Sequence, residues 1–404
     1  MKILHTADWH LGKKLEYISR FNEQEQVLDE ICVLAERELP DTVLIAGDIF
    51  DSVNPPIEAL ELFYKTARRL SRNGTCAVIG IAGNHDSPDR IEAPDPLARA
   101  CGIILTGYPQ SEVKLFSLET GLAVTKSDKG FIELNLPNCA YPLRVLLTPY
   151  ANEIRLKTYL NKDNVEEELR QLLQKKWQEI ADTYCDSEGV NILMTHLYVM
   201  KKGGEKPQEY EDEKSVLTVG GAQEIYSENF PSPIQYAALG HIHRGQRIDK
   251  QPCPIVYSGS PLAYSMAEAG QEKVVYMIEA EPNLPVSYQK IPLASGKQLV
   301  RKTFEDIDSA VEWLHENPDT IVELTLVTEH YLTSEQRKQL YAAHEHIFIH
   351  LQLQNTDSLA TNGSQNIDLT RNMEDLFQDF FQHKHAQVPN AEIMDLLKEI
   401  LAGE

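Results

Sequence analysis

The chain begins with MKILHTADWHLG, Met1–Gly12, in which a short apolar run leads directly into Asp8 and His10. The run Lys2–Thr6 has the composition of a buried β-strand, and the polar residues after it mark the start of a loop. Because alternate side chains of an extended segment point the same way, Asp8 and His10 can reach a single ion. This stretch therefore predicts a buried strand whose carboxyl end carries metal ligands.

The same arrangement occurs at four further places in the chain. Each polar motif follows an apolar run, as Asp48 follows Thr42–Ala46, and each opens a loop. In open α/β sheets, sites form beyond the carboxyl ends of the strands, so motifs that are far apart in the chain can meet at one edge. The four later motifs are Gly47-Asp48-Ile49-Phe50-Asp51, Gly83-Asn84-His85-Asp86, Thr195-His196 and Gly240-His241-Ile242-His243.

About the first 265 residues alternate strand-like runs with amphipathic helices, which predicts an α/β sandwich. One helix begins at Pro55-Pro56, with Leu60, Phe63, Tyr64, Ala67 and Leu70 as its apolar stripe, and another covers residues 165–184. Residues 111–136 are interpreted as an inserted hairpin region without chemistry. The predicted strands are Lys2–Thr6, Thr42–Ala46, Cys76–Ile81, Arg144–Thr148, Asn191–Thr195, Gln235–Leu239 and Ile255–Ser258.

The pattern changes near residue 296, which we predict to end the catalytic domain at 1–296. Residues 297–355 have the order strand–helix–strand–helix–strand of a small α+β domain, and the turn-rich residues 356–370 are predicted to be a linker. Residues 371–404 contain two short helical patterns, each with an apolar stripe that either packs on the chain's own core or binds a partner. The stripe residues are Met373, Leu376, Phe377, Phe380, Phe381, Ile393, Leu396, Leu397, Ile400 and Leu401.

The acidic composition bears on the substrate, because the formal net charge is −23, from 61 acidic and 38 basic residues. A protein that holds DNA alone usually presents a basic face, since Lys and Arg displace counterions from phosphates. If the substrate is DNA, we expect a partner to supply much of the electrostatic attraction. The charge by itself favours a phosphodiesterase that acts on small molecules.

Other compositional features predict a cytoplasmic protein that is not in a membrane. The sequence has no apolar run of about 18 residues, and its first residues lack the apolar core and cleavage site of a secretory signal. The six cysteines are far apart and form no Cys-x-x-Cys pair, which indicates reduced thiols and neither disulfides nor a zinc site.

The residue types in the five motifs are coherent as metal ligands. Carboxylate, imidazole and amide oxygen ligands suit divalent ions such as Mn²⁺, and the absence of cysteine argues against structural zinc. Asp48 has two oxygens and can bridge two ions. If Asp48 is shared between two ions, the seven candidate ligands make two sets of four, and each set leaves room for water or phosphate. The seven are Asp8, His10, Asp48, Asn84, His196, His241 and His243. This ligand count predicts a two-metal site.

The five motifs resemble those of the calcineurin-like metallophosphoesterase superfamily and, within it, the nuclease subunits of bacterial DNA-processing complexes. The longer stretches that carry this resemblance are AGDIFDSVNPP at Ala46–Pro56, AGNHDS at Ala82–Ser87, ALGHIHRGQ at Ala238–Gln246 and YSGSPL at Tyr257–Leu262. The resemblance implies a β-sandwich flanked by helices, with a small capping domain and a helical tail. It places Asp8, His10, Asp48 and His243 around one metal ion, and Asp48, Asn84, His196 and His241 around the other. His85 then matches the catalytic histidine, and the ions are Mn²⁺, with Mg²⁺ as the alternative.

The resemblance further implies a metal-dependent DNA exonuclease and hairpin-processing or end-processing endonuclease, acting in DNA repair, recombination and replication. Two ions would lower the pKa of a bridging water, and the resulting hydroxide would attack the phosphate in line. The expected partner is an ATPase whose coiled coil receives the C-terminal helices of a homodimer, within a heterotetramer. Gln235, where an acidic residue is common, and residues 201–214 depart from the family pattern.

Two alternatives remain open at this point. The first is a phosphodiesterase or phosphatase of the same superfamily that acts on small molecules, and the second is an inactive scaffold. The full ligand set argues against the scaffold, whereas the additional domain and the tail argue against a minimal small-molecule enzyme.

A separate group of histidines, His344, His346 and His350, also invites interpretation as a metal site. On a strand these three side chains share one face, and Ile347, Ile349 and Leu351 share the other. We therefore predict an ordinary half-buried strand with a polar outer face. The same interpretation applies to His383 and His385.

Overall fold

The structure, a computed structural model, describes residues 1–158, 165–208 and 224–353, together with Phe377, Gln378, Phe381, Pro389 and Met394. One compact unit comprises residues 1–326 and 332–350, and a second comprises 327–331 and 351–404. The predicted linker and most of the predicted tail stripes lie outside the described residues. Phe377 and Phe381 are described, and their ring centroids are 5.8 Å apart.

The first sheet of the large unit has six strands, of which four neighbours run parallel. Lys2–Thr6 pairs in parallel with the strand that begins at Thr42, and on its other side it pairs antiparallel with the strand that begins at Val274. The spatial order is Ser287–Pro292, Val274–Glu279, Lys2–Thr6, Thr42–Ile45, Ala77–Ile81 and Ile103–Thr106. The parallel register aligns Thr6 with Ile45 and Ile45 with Gly80, so these strands end at the same level.

The second sheet has eight strands, and its centre is also parallel. The spatial order is Gln246–Asp249, Ile255–Tyr257, Tyr236–Gly240, Val190–His196, Leu143–Thr148, Phe131–Asn135, Ala123–Asp128 and Phe116–Ser117. The last three strands belong to the region that was interpreted as an insertion. The predicted hairpin is confirmed, since Ala123–Asp128 pairs antiparallel with Phe131–Asn135, and its Val124, Ile132 and Leu134 are fully or almost fully buried in the core between the sheets.

The two sheets pack face to face, and helices cover their outer faces. Ile3, Leu44 and Ile79 of the first sheet share a core with Val145 and Ile192 of the second. Such continuous burial requires apolar residues on both faces of the central strands, as the sequence has. The helices are Phe21–Glu38, Ile57–Leu70, Pro88–Glu92, Asp95–Ala100, Glu153–Leu156 and Val165–Tyr184, with 3₁₀ turns at Arg72–Gly74, Ser227–Asn229 and Met266–Glu268.

The helix Ile57–Leu70 follows the two prolines as predicted, and it buries Phe63, Ala67 and Leu70 against the first sheet. Tyr64, which was assigned to the same apolar stripe, is 38% exposed, so that assignment is wrong. Ala59 takes the buried place instead. The buried face of the helix is therefore displaced from Tyr64 towards Ala59 and Thr66.

The segment after residue 296 has the predicted order of elements. Its strands are Gln298–Phe304, Thr320–Thr328 and Ile347–Leu353, and its helices are Ile307–Glu316 and Ser334–Ala343. Within the large unit, Leu299 and Ile321 pack with Leu15 and Ile18, which belong to a short hairpin of strands Lys14–Leu15 and Ile18–Ser19. A further short pair joins Val199–Met200 with Ile225–Tyr226.

The state of the cysteines and the hydropathy of the helices bear on two predictions from composition. All six cysteines are free; four of them are buried, and Cys101 and Cys139 are half-buried. None of the described helices combines the length and the hydropathy that crossing a bilayer requires.

Candidate metal centre

The five polar motifs meet at one edge of the sandwich. In the first sheet, the neighbouring parallel strands that end at Thr6, Ile45 and Ile81 lead into the loops that contain Asp8, Asp48 and Asn84. In the second sheet, the parallel strands Val190–His196 and Tyr236–Gly240 end at His196 and just before His241. Because both sheets present these strand ends on the same side, all seven predicted ligands come together.

The ligand loops have an unusual backbone. Asp8, His10 and Asp48 have φ values of 53°, 44° and 45°, and His241 has a φ of 108°. Such left-handed conformations are uncommon for residues other than glycine and cost about 1–3 kcal/mol each. The expectation that Asp8 and His10 converge because their segment is extended is therefore wrong, although the convergence itself occurs.

Contacts between two loops hold this backbone in place. The Asp8 amide donates to the Gly47 carbonyl at 3.0 Å, and the His10 amide donates to the Asp48 carbonyl at 3.0 Å. Gly47, at φ 93°, has no room for a side chain, since a Cβ there would lie 2.2 Å from Nδ1 of His196. Strain that recurs at ligand positions is typical of a functional site.

Asp48 lies in the middle of the cluster. Its Oδ2 is 3.3 Å from Nε2 of His196 and 3.6 Å from Nε2 of His10. Nε2 of His10 is in turn 2.9 Å from Nε2 of His243. One carboxylate thus reaches imidazoles from both sheets, which is the position expected of a bridging ligand.

Asn84 occupies the other side of the cluster. Its Oδ1 is 2.9 Å from Nδ1 of His241 and 3.1 Å from Nε2 of His196. Nδ1 of His196 is 2.8 Å from the Ala46 carbonyl, to which it donates. Because Nδ1 is engaged by the backbone, Nε2 of His196 is the nitrogen that faces Asp48 and Asn84.

The donor atoms fit divalent metal ions. Within the described residues, donor atoms no more than 4.8 Å apart occur in the sets Asp8, His10, His243 and Asp8, Asp48, His196. Oδ2 of Asp8 is buried without a hydrogen-bond partner, which is costly for a carboxylate. Nε2 of His10 and Nε2 of His243 lie 2.9 Å apart, so a single cation could accept lone pairs from both neutral imidazoles.

Burial and mutual charge determine the protonation of the cluster. Burial lowers the pKa of His10 and of His241 to about 3, so these imidazoles are neutral near pH 7, as metal ligands must be. Although burial acts in the opposite direction, the neighbouring imidazoles of His196 and His10 hold the pKa of Asp48 well below its usual range. Burial also acts against protonation of His196, but Asp48 raises its pKa to about 9. In the metal-free chain, a proton on His196 therefore supplies the positive charge that Asp48 requires.

His85 lies beside this cluster. Its amide donates to Oδ1 of Asp48 at 2.9 Å, and its Nδ1 donates to the Asp51 carbonyl at 2.9 Å. The imidazoles of His10 and His85 are in edge contact, with centroids 4.9 Å apart. One further set of donor atoms within 4.8 Å combines His85 with His10 and Asp51, so geometry alone allows His85 to act as a ligand.

Two residues outside the predicted ligand set, Asp86 and Arg155, support the ligand loops. Asp86 is fully buried, and its carboxylate accepts hydrogen bonds from the amides of Gly83, Ile49 and Phe50 at 2.8, 3.0 and 2.9 Å. Arg155 donates to the carbonyls of Gly83 and Asp86 at 2.7 and 2.8 Å. The motif Gly-Asn-His-Asp contains Asp86 and could have indicated its role, whereas no sequence signal surrounds Arg155.

A cavity of about 890 Å³ opens beside the cluster and extends to the small α+β segment. Asp48, Asn84 and His85 line one part of it, and Arg301 and His350 line another. The cavity is large enough for a nucleotide-sized ligand, since drug-sized sites occupy roughly 300–1,000 Å³.

The chain is similar to a protein family, to a bacterial nuclease and to a solved phosphatase structure. Residues 1–245, which contain all five motifs, match the family of calcineurin-like phosphoesterases. The chain is 35% identical over 415 residues to SbcD of the SbcCD nuclease of Bacillus subtilis (strain 168), and this alignment covers 100% of this chain and 98% of that protein. A dimetal phosphatase from Danio rerio is 13% identical, with a TM-score of 0.37, 73% of this chain covered and 99% of that chain covered.

Proposed function

This chain belongs to the calcineurin-like phosphoesterase family, and we propose that it is a metal-dependent DNA nuclease that hydrolyses phosphodiester bonds. The observation that carries this proposal is the similarity to a component of a nuclease over the entire chain, at 35% identity. The alignment includes the residues after 296, which a minimal small-molecule phosphodiesterase would not need. The alternative of a small-molecule substrate therefore has weaker support.

The metal ligands we propose are the seven residues that meet at the sheet edge. Asp8, His10, Asp48 and His243 would hold one divalent ion, and Asp48, Asn84, His196 and His241 would hold the other. We infer Mn²⁺, with Mg²⁺ as the alternative, from the mixture of oxygen and imidazole donors. When bound, such a pair of ions supplies an activated water and neutralises charge on the phosphate.

We infer that His85 acts on the phosphate and is not a metal ligand. Because its Nδ1 donates to the Asp51 carbonyl, its Nε2 remains for a phosphate oxygen or for the leaving oxygen. The bond from its amide to Asp48 fixes its distance from the cluster. A histidine suits transfer of a proton to the leaving oxygen, because an imidazole can both donate and accept a proton.

The proposed partners are DNA and an SbcC-like ATPase with a coiled coil. The name of the relative describes one component of SbcCD, and the net charge of −23 implies that another chain contributes to holding DNA. We propose that residues 297–355 form a capping domain and that residues 371–404 bind the ATPase. A homodimer within a heterotetramer and a cytoplasmic location complete the proposal.

The proposed activity is tested by cleavage of duplex DNA with Mn²⁺, with and without the ATPase, beside hydrolysis of a small chromogenic phosphodiester. We expect both reactions to require the metal, and we expect DNA cleavage to increase when the ATPase is added. Hydrolysis of the small diester without any cleavage of DNA in the complex would favour the small-molecule alternative. Absence of both reactions in metal-loaded protein would favour the scaffold.

The role of the tail is tested with a chain that ends at Asn362. We expect this chain to keep the melting temperature of the large unit and to lose binding to the ATPase coiled coil, because Phe377 and Phe381 contribute apolar area to that interface. Burial of such a side chain typically contributes about 1.5–3 kcal/mol. A lower melting temperature of the large unit would instead indicate that the tail packs on the chain's own core.

A further inference from the structure

A buried ion pair lies next to His243, on the side of the imidazole that is turned away from His10. The side chains of Glu268 and Lys273 are 1% and 9% exposed, and they contact each other. Lys273 Nζ also donates to the His243 carbonyl at 3.2 Å and to Oγ of Ser260 at 3.0 Å. A buried ion pair is weak evidence for stability, because desolvation offsets its attraction. Its position behind a predicted ligand suggests a different role.

The Glu268 carboxylate is held by its own loop. One oxygen, Oε1, accepts from the amides of Tyr264 and Ser265 at 2.9 and 3.1 Å. The 3₁₀ turn Met266–Glu268 is capped by Ser265, whose hydroxyl accepts from the Ala267 amide. Because Met266 is separately packed with Leu299 and Ile321, the turn does not depend on the Glu268 carboxylate alone.

The two nitrogens of the His243 ring face different groups. Nε2 faces the cluster, 2.9 Å from Nε2 of His10. Nδ1 faces the ion pair, 3.8 Å from Oε1 of Glu268. This distance exceeds that of a hydrogen bond, but a buried carboxylate still attracts a proton on the nearer nitrogen more strongly than it would in water. The carboxylate thereby favours the tautomer whose lone pair is on Nε2, the nitrogen that faces the cluster.

We propose that Glu268, held in place by Lys273, is a positioning residue that orients His243 and selects its tautomer for binding of a divalent cation. The carboxylate acts through the imidazole and contacts neither substrate nor metal. The ammonium group of Lys273 compensates the charge of the buried Glu268 carboxylate. The carboxylate therefore interacts with two groups, Lys273 and the imidazole of His243. This inference rests on the proposed function, since it assumes that His243 binds an ion. Carboxylates that orient metal-binding histidines generally affect metal affinity.

The test is calorimetric titration of the metal-free full chain with Mn²⁺, for the unaltered protein and for Glu268→Gln. The amide can still accept the two backbone hydrogen bonds, but it has no charge. We expect one of the two ions to bind about 10–100-fold more weakly in the variant. We expect the turnover number to recover at saturating Mn²⁺, because the carboxylate positions the ligand without taking part in the reaction.

Glu133→Gln is the matched control, because Glu133 also forms a buried ion pair, with Arg144 at 2.8 Å, in the second sheet. We expect this variant to melt at a lower temperature with unchanged Mn²⁺ affinity. If Glu268→Gln behaves in the same way, the ion pair is purely structural and the proposal is wrong. If the unaltered chain binds no divalent ion, the proposed function itself fails. Should Glu268→Gln not fold, its combination with Lys273→Met removes both buried charges, and the same loss of affinity is expected.

Discussion

The pattern His-x-His occurs in two described parts of this chain with opposite surroundings. His241 and His243 each face a histidine from another strand, with ring centroids 5.1 Å from His196 and 4.8 Å from His10, respectively. His344 and His346 face each other, with centroids 6.5 Å apart. The first pair belongs to the candidate metal centre, and the second pair does not.

The difference lies in the charges and partners around the rings. The first pair shares its site with the buried carboxylates of Asp8 and Asp48. In the second pair, Nε2 of His344 donates to the Asn317 carbonyl at 3.1 Å, and Nδ1 of His346 is 3.2 Å from the ammonium group of Lys297. A lysine beside an imidazole repels a metal ion. Carboxylates brought in by sheet topology, and not the spacing of histidines, therefore distinguish the two regions.

The largest expected effect is that of Asp48→Asn, which removes the charge shared by both predicted ion sites. We expect Mn²⁺-dependent cleavage to fall below detection, with the fold retained and both ions bound more weakly. Glu345→Gln is the matched control, because Glu345 is the carboxylate within the second His-x-His and its side chain is 87% exposed. Nuclease assays and calorimetry on both variants measure the contrast. Near-normal activity of Asp48→Asn would contradict the ligand assignment.

The next effect separates catalysis from metal binding. Replacement of His85 by Ala should lower the turnover number by about 10²–10⁴, as loss of a general acid typically does. The metal content should stay near two ions per chain, because we infer that His85 acts on the phosphate and does not bind a metal ion. His346→Ala is the control substitution and should change neither quantity. A clear loss of bound metal in His85→Ala would make His85 a ligand, with His10 and Asp51 as its neighbours.

Much of this arrangement could be predicted from the sequence, because it depends on local patterns. Apolar runs such as Val43-Leu44-Ile45 identify buried strands, and parallel strands place their carboxyl ends together. The five motifs could therefore be assigned to one edge without knowledge of the strand order. The cluster that contains Asp48 and His196 follows from that rule.

Features that depend on distant contacts could not be predicted. The left-handed backbone of Asp8 and His10 results from hydrogen bonds to the loop of Gly47 and Asp48, and no local pattern encodes such a contact. Arg155 supports the same site by donating to backbone carbonyls. Because every residue has a backbone carbonyl, the sequence does not show which ones an arginine contacts. The strands within residues 111–136 join the second sheet because Phe131–Asn135 pairs with the strand Leu143–Thr148, and no local pattern encodes that pairing either.

The third prediction concerns the effect of the metal on stability. The buried Asp8 oxygen without a hydrogen-bond partner implies that metal binding stabilises the folded chain. At a free Mn²⁺ concentration of 100 times the dissociation constant, the gain is about 2.7 kcal/mol per ion. Thermal melts with and without chelator should show this rise in the melting temperature. Asp48→Asn should show little of it, whereas Glu345→Gln should show all of it. An equal rise in all three proteins would indicate nonspecific binding.

The smallest effect concerns the second histidine pair and tests whether it is structural. His344 is 4% exposed, and the strand begins at Ile347, after both His344 and His346, so the expectation that these two histidines share a strand face with His350 is wrong. Nε2 of His344 donates to the Asn317 carbonyl, and its Nδ1 accepts from the His346 amide at 3.0 Å. Loss of these bonds in His344→Ala should lower the free energy of unfolding by about 1–3 kcal/mol, without any change in bound metal.

The pH dependence of this loss provides a sharper test of the same substitution. Burial lowers the pKa of His344 below its ordinary value, so the folded chain binds fewer protons at this site than the unfolded chain does. The stability contributed by neutral His344 is therefore present above about pH 6.5 and declines as the pH falls below that value. The difference in unfolding free energy between the unaltered chain and His344→Ala should narrow as the pH falls from 7.5 towards 5.5. His350→Ala, in which an exposed ring is removed, should change the unfolding free energy by less than about 0.5 kcal/mol, as surface substitutions usually do. Denaturant unfolding at several pH values measures both differences, and a gap for His344→Ala that widens in acid would contradict a neutral, structural His344.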